Sequence, residues 1–217
     1  YSGSRGLGDV YKRQSRYGSD ISEESLDKLG GISWGSRKEK LKKRIKFLAE
    51  ELMAVAAKRQ ISSAEIINVP EDFYEEFCSR FPFEETNDQF NAIHSVINDL
   101  EKGQPMDRLI CGDVGFGKTE VALRASFLTA MSGKQVAILA PTTLLARQHY
   151  ETFKSRFRGF PVNISELSRL TSKKDDVIKK INSGSSDIVI GTHSLLGDKI
   201  EFNDLGLLII DEEQHFG

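Results

Sequence analysis

Only two cysteines, Cys78 and Cys111, occur in 217 residues, and they stand far apart. No disulfide framework is therefore implied, and a reducing cytoplasm is the expected compartment. No apolar run approaches the roughly 20 residues of a membrane span, so no membrane contact is expected. No apolar core follows Arg5, Lys12 and Arg13, which excludes a readable secretory signal there. A bias of charge is missing too. Thirty basic residues against 32 acidic ones leave a formal net charge of −2. Any contact with nucleic acid must then come from a local surface, not from a globally basic protein. No internal repeat is visible. What is present, 39% hydrophobic and 29% charged residues, suits one full globular domain plus an extension.

The organisation changes along the chain. Residues 1–14, broken by Gly3, Gly6 and Gly8, show no periodicity. They are expected to be disordered and foreign to the rest. Between Arg37 and Lys58 the apolar residues Leu41, Ile45, Leu48, Leu52, Val55 and Ala56 recur every three or four positions. That spacing predicts one long helix with an apolar stripe. Its other face starts strongly basic, from Arg37 to Lys46, and reads either as a solvated face or as a surface for nucleic acid or an acidic partner. A short acidic helix is expected over 71–80, stopped by Pro82. Thr86 should cap a further helix whose apolar face is Phe90, Ile93, Val96, Ile97 and Leu100. From residue 108 strands and helices alternate. Strands are expected at 108–112, 135–140, 161–167, 187–191 and 206–211, and helices at 118–131, 143–157 and 172–182. Such alternation predicts an α/β domain with a mostly parallel sheet and helices on both faces. The runs 136–140, 188–190 and 207–210 are apolar throughout, as strands covered on both sides should be.

Residues 112–119, Gly-Asp-Val-Gly-Phe-Gly-Lys-Thr, match the phosphate-cradling P-loop pattern, with a strand expected before it and a helix after it. Gly112, Gly115 and Gly117 permit the tight turn. Asp113, Val114, Phe116 and Glu120 complete the loop and the helix start, and are expected beside the nucleotide. Lys118 is expected to reach the β- and γ-phosphates, and Thr119 to offer its hydroxyl to Mg²⁺. The helix that begins there adds its positive dipole end. A second constellation follows the apolar run 207–210: Asp211 and Glu212. A strand ending in two carboxylates brings them to the sheet edge where the P-loop lies. Asp211 is expected to hold Mg²⁺ through its water shell, and Glu212 to act as general base on an attacking water. Ahead of the loop, the amide of Gln89 can donate to and accept from an adenine edge at once. Phe83 or Phe81 could stack on the base. No Asn-Lys-x-Asp tetrapeptide is present to read guanine, and no Leu-Ser-Gly-Gly segment of the transporter ATPases. Thr142 and Thr143, with Gly191, Thr192 and His193, stand at strand ends where exposed N–H groups suit backbone phosphates. Thr142 reads equally well as a plain helix cap.

These residues carry a resemblance. Asp211-Glu-Glu-Gln-His215 looks like the DExx box of superfamily 2 helicases and translocases, and Phe83 to Gln89 like their adenine-reading Q motif. Thr142-Thr143 and Gly191-Thr192-His193 resemble their DNA-tracking motifs. The stretches Arg108 to Ala122, Pro141 to Ala146 and Leu205 to Gly217 resemble the bacterial transcription-repair coupling factor family more closely. The branch-migrating RecG family typically has Ser where this chain has Phe116, and Asp-Glu-Gln-His where this chain has Asp211-Glu-Glu-Gln. The resemblance implies a RecA-like P-loop NTPase lobe over 81–217, preceded by a helical linker over 37–80. Residues 15–36 look like the tail of an RNA-polymerase-interacting domain. It further implies ATP and Mg²⁺ as cofactors and double-stranded DNA as track. RNA polymerase and excision-repair proteins are then the partners, met through regions largely missing here. The expectation is a lobe cut short at Gly217, without the second lobe whose arginine finger is worth on the order of 10³–10⁵ in rate. Such a chain should bind ATP and hydrolyse it poorly. A RecG-type helicase and an ATP-dependent protein-binding switch are the alternatives.

Overall fold

The computed structural model describes residues 32–67, 71–113 and 115–212. The expectations for 1–14, most of 15–36, Val114 and the Glu213-Gln214-His215 extension of the acidic pair fall outside those residues. The chain divides into two compact units, 1–57 and 58–217. In the first, the expected long helix is present as α1, Ile32–Ile61, which continues into the second unit. Its stripe of Leu41, Ile45, Leu48, Leu52 and Val55 is exposed throughout.

The second unit begins with two helices, α2 (Glu71–Ser79) and α3 (Asn87–Glu101). Thr86 caps α3 as expected, because its hydroxyl accepts the backbone N–H of Gln89. Ile93, Val96 and Leu100 point inward, but Phe90 does not. It is exposed and lies on the ring of His94, with centroids 4.1 Å apart. Then follow α4 (Lys118–Met131), β1 (Gln135–Leu139), α5 (Thr143–Arg156), β2 (Ile164–Leu167), α6 (Lys174–Asn182), β3 (Ile188–Gly191), a 3₁₀ turn at His193–Leu196 and β4 (Leu205–Ile210). The four strands pair in the order β2-β3-β1-β4, all parallel.

Strand periodicity sorts the core into two layers. Val136 and Ile138 of β1, Ile188 and Ile190 of β3, and Leu207 of β4 pack with side chains from α2 to α5. Leu139, Leu167 and Val189 pack on the other side with Ile181 of α6 and Leu195 of the 3₁₀ turn. The first layer is dominated by phenylalanine. Phe77 stacks on Phe127 with centroids 4.2 Å apart, while Phe157 and Phe160 pack on the same pair. Phe77 and Phe127 have no exposed surface, and burying each stabilises the fold by roughly 1.5–3 kcal/mol.

Two expectations about strands are corrected. The apolar run of β4 is not covered on both sides. Leu207 is buried, but Leu208 and Ile210 are 50% and 47% exposed. The strand order places β4 at an edge, and α6 and the 3₁₀ turn reach only the other three strands. Residues 108–112 form no strand. The three apolar residues Leu109, Ile110 and Cys111 have no alternation to fix a register, so anchoring decides where they go. Here the anchors are helical. The Arg108 guanidinium donates to Asp99 of α3 through Nε at 2.6 Å, and Arg59 pairs with Asp107. The segment therefore runs beside the free edge of β4 across a cavity instead of pairing with it.

Candidate nucleotide site at the carboxyl edge of the sheet

The glycine loop is shaped as its sequence requires. Gly115 has φ +87° and Gly117 φ +78°, both left-handed. Gly117 caps α4 without a side chain, so the helix opens with backbone N–H groups available to an anion. A Cβ at Gly117 would lie 2.3 Å from Gln89 Nε2, so a side chain there would strain the left-handed φ and also push the Gln89 amide aside. Lys118 lies back over the loop, where its Nζ donates to the carbonyl of Gly112 and, at 3.5 Å, to that of Asp113. Asp113 and Phe116 are exposed.

Gln89 reaches this loop by a route the sequence did not indicate. Its Nε2 donates to the Phe116 carbonyl at 2.9 Å, and its Oε1 accepts the Thr86 N–H at 3.0 Å. The residue is thus both the far half of a capping box and a strut under the P-loop. A primary amide has two donors and two acceptor lone pairs, so one of each remains for an adenine edge. Phe83 is exposed and meets Phe81 edge-on, with centroids 5.6 Å apart.

The acidic pair follows β4 directly. The Asp211 N–H donates to the Leu139 carbonyl at 2.9 Å, which extends the ladder between β1 and β4 by one rung. Asp211 Oδ2 lies 2.8 Å from Nε2 of His149 on α5. Glu212 has φ +53°, the one left-handed non-glycine among the described residues. Such a backbone persists only where its surroundings impose it, and it concentrates at functional sites. A cavity of about 1040 Å³ along the β4 edge has Gly112, Lys118, Thr119, His149, Asp211 and Glu212 among its lining residues. A phosphate chain on the loop and a cation on Thr119 and Asp211 fit this donor set. No cluster of three or more His, Cys, Asp or Glu among the described residues could hold a metal alone. Mg²⁺ ordinarily takes one or two carboxylates and completes its shell from substrate phosphates and water.

Three expected contacts are corrected. Glu120 does not face the nucleotide. Its side chain is 4% exposed, and its Oε1 accepts from Arg124 Nε at 3.0 Å and from Arg156 at 2.8 Å. Gly191 and Thr192 are buried. A Cβ at Gly191 would lie 2.2 Å from the Leu167 carbonyl oxygen, so this glycine serves close packing between β3 and β2. Thr142 is the N-cap of α5, its hydroxyl accepting the Leu145 N–H at 3.2 Å. Thr142 and His193 are exposed and Thr143 is half-buried, all beyond the carboxyl ends of β1 and β3.

Two further features join residues distant in the chain. His149 is one, and no local pattern joins it to a carboxylate 62 positions away. The other is a buried charge network. Arg124 pairs with Glu85 and Glu120, and Arg156 pairs with Glu120 and donates to the Phe77 carbonyl at 2.9 Å. Burial works against the charge of Arg124, but the hydrogen bonds it donates to Glu120 and Glu85 raise its pKa overall. Burial also pushes the Tyr74 hydroxyl and the Cys78 thiol beside it upward. The network ties the P-loop helix to α5, to α2 and to the turn before α3.

Similarity to known proteins follows the same residues. The chain is 48% identical over 206 residues to the transcription-repair-coupling factor of Bacillus subtilis. It is 46% identical over 206 residues to that of Escherichia coli. Each match covers 94% of this chain, and the chain spans about 18% of the length of these curated relatives. A structure of RecG bound to a three-way DNA junction aligns with a TM-score of 0.68 at 36% identity, over 73% of this chain and 22% of that one. A hypothetical ATP-dependent RNA helicase from Sulfolobus tokodaii shares the fold, with a TM-score of 0.52 at 20% identity over 67% of this chain and 42% of that one. Residues 86–217, which hold the capping box, the glycine loop and the acidic pair, match the family model of the DEAD/DEAH box helicases, and the chain belongs to that family.

Proposed function

We propose that this chain is the ATP-binding lobe of a motor that moves along double-stranded DNA, displaces stalled RNA polymerase and couples transcription to excision repair. The observation that carries the reading is that Gly112, Lys118, Thr119, Asp211 and Glu212 all line one cavity. Lys118 and the first N–H groups of α4 bind the phosphates of ATP. Thr119 and Asp211 hold Mg²⁺, which supplies charge neutralisation at the phosphates when bound. Glu212 takes a proton from the attacking water. The free donor and lone pair of Gln89 read adenine, and the exposed ring of Phe83 is free to stack on the base. Thr142, Thr143 and His193 lie where a DNA backbone passes the sheet edge. The coupling-factor reading is favoured over a RecG-type helicase by identities of 48% and 46% against 36%. No helix among the described residues is long and apolar enough to cross a membrane; the cytoplasmic placement follows from the reading as a motor on DNA.

The 217-residue chain binds ATP and hydrolyses it poorly, because the arginine finger of such motors belongs to a second lobe and the chain spans only about 18% of its relatives. Titration with a fluorescent ATP analogue, with and without Mg²⁺, tests the site. Lys118→Ala is expected to abolish binding without lowering the melting temperature. Robust DNA-stimulated ATPase from this chain alone sinks the half-site reading. In the longer protein, ATPase indifferent to duplex DNA refutes the motor and favours a protein-binding switch.

A further inference from the structure

We propose that His149 is a positioning residue that holds Asp211 in the orientation needed to carry the metal of the nucleotide complex. The inference rests on the magnesium role proposed above for Asp211. Asp211 is held at two points. Its backbone N–H is bonded to Leu139 in β1 at 2.9 Å, and its Oδ2 accepts from His149 Nε2 at 2.8 Å. A carboxylate oxygen can only accept from this ring nitrogen, so Nε2 carries the hydrogen. Among the described residues Oδ1 has no hydrogen-bond partner, which leaves it as the oxygen open to a cation or its water shell. The two side chains are 17% and 28% exposed and line the same cavity as Lys118 and Thr119.

The physical effect is a restriction of χ2. Without a partner, an aspartate at the end of an edge strand can turn either oxygen toward the phosphate site, and binding must order it. With Oδ2 pinned from α5, that ordering is done before the metal arrives. Partners of this kind, bonded to a ligating group and not to the metal, typically contribute about 10- to 100-fold to metal affinity. His149 is well placed for the task because α5 is itself fixed. Its N-cap is closed by Thr142, and Ala146 and Phe153 on either side of His149 are buried in the core.

The test compares the wild-type chain with His149→Ala, His149→Phe and His149→Gln. The affinity for a fluorescent ATP analogue is measured across a Mg²⁺ titration and again in EDTA, alongside the melting temperature. His149→Phe keeps ring volume without the donor, and His149→Gln returns an N–H near the original Nε2. The expected result is a rise of about 10- to 100-fold in half-saturating Mg²⁺ for His149→Ala and His149→Phe, with affinity in EDTA unchanged and substantial recovery in His149→Gln. A purely structural histidine would instead lower the melting temperature and weaken binding equally with and without Mg²⁺. Half-saturating Mg²⁺ unchanged in His149→Phe overturns the inference while leaving the site intact. A wild-type chain whose nucleotide affinity ignores Mg²⁺ overturns the magnesium role of Asp211, and the inference with it.

Discussion

The charge network under the P-loop helix gives a sharp stability prediction for Glu120→Gln. The wild-type carboxylate is 4% exposed, and its Oε1 serves two guanidinium groups at once, Arg124 at 3.0 Å and Arg156 at 2.8 Å. Removing one partner of a buried ion pair typically costs 3–5 kcal/mol, because the other charge stays buried without compensation. Glutamine keeps the volume and one acceptor. Arg124 keeps Glu85, and Arg156 keeps the Phe77 carbonyl. The low end is therefore expected, about 3 kcal/mol. For a domain of this size 1 kcal/mol shifts the melting temperature by about 2–4 °C, so the predicted fall is about 6–12 °C. Thermal unfolding followed by circular dichroism measures it, in wild type, Glu120→Gln, Arg156→Met and the double variant. The double variant should lose less than the two single losses together, since contacting charges couple by roughly 0.5–3 kcal/mol. Folded Glu120→Gln should bind nucleotide as the wild type does, because its carboxylate does not face the phosphate site. A fall of less than about 2 °C, or full additivity, would falsify the view that these three side chains act as one unit.

Two further outcomes follow from the geometry. Gly117→Ala combines a left-handed φ with a Cβ 2.3 Å from Gln89 Nε2, whereas Gly115→Ala, also left-handed, meets open space. Backbone strain of this kind costs on the order of 1–3 kcal/mol at either site, but only Gly117→Ala also displaces Gln89 from the Phe116 carbonyl. Its loss of nucleotide affinity should be the larger of the two, and equal losses would argue against the strut. The Arg108 guanidinium, helped by Lys102, holds the Asp99 carboxyl below the usual range against the opposing effect of burial. A lowered folded-state value means that the stabilisation is full above the unfolded value of about 4 and is lost as pH falls through the lowered value. Asp99→Asn should therefore flatten the dependence of melting temperature on pH below about 4, and an unchanged acid slope would count against that ion pair.

What could be read from the sequence was local. The glycine loop, its helix and the Asp211-Glu212 pair after an apolar run are contiguous patterns whose geometry follows from a few neighbouring residues. The Thr86 cap and the parallel α/β alternation are of the same kind, since both are written within single elements or in their order. Residues 108–112 show the limit of such reading. Three apolar residues, Leu109 to Cys111, permit a strand, but Arg108 is bonded to Asp99 of α3 and the segment does not pair with the sheet. The run in β4 permits full burial, but its place in the strand order leaves one face open.

Tertiary structure alone decided which residues support the site. Gln89 meets the Phe116 carbonyl across 27 positions, His149 meets Asp211 across 62, and Arg156 meets Glu120 across 36. None of these pairs shares a turn or a helix face, so no periodicity encodes them. Burial likewise moved Glu120 from the nucleotide to the core, and made Gly191 a packing glycine. The chemistry of the phosphate cradle is carried by short-range backbone geometry, and so a single sequence displays it. The groups that hold its loop and its carboxylate in place act through side chains brought together only when the sheet and helices have packed.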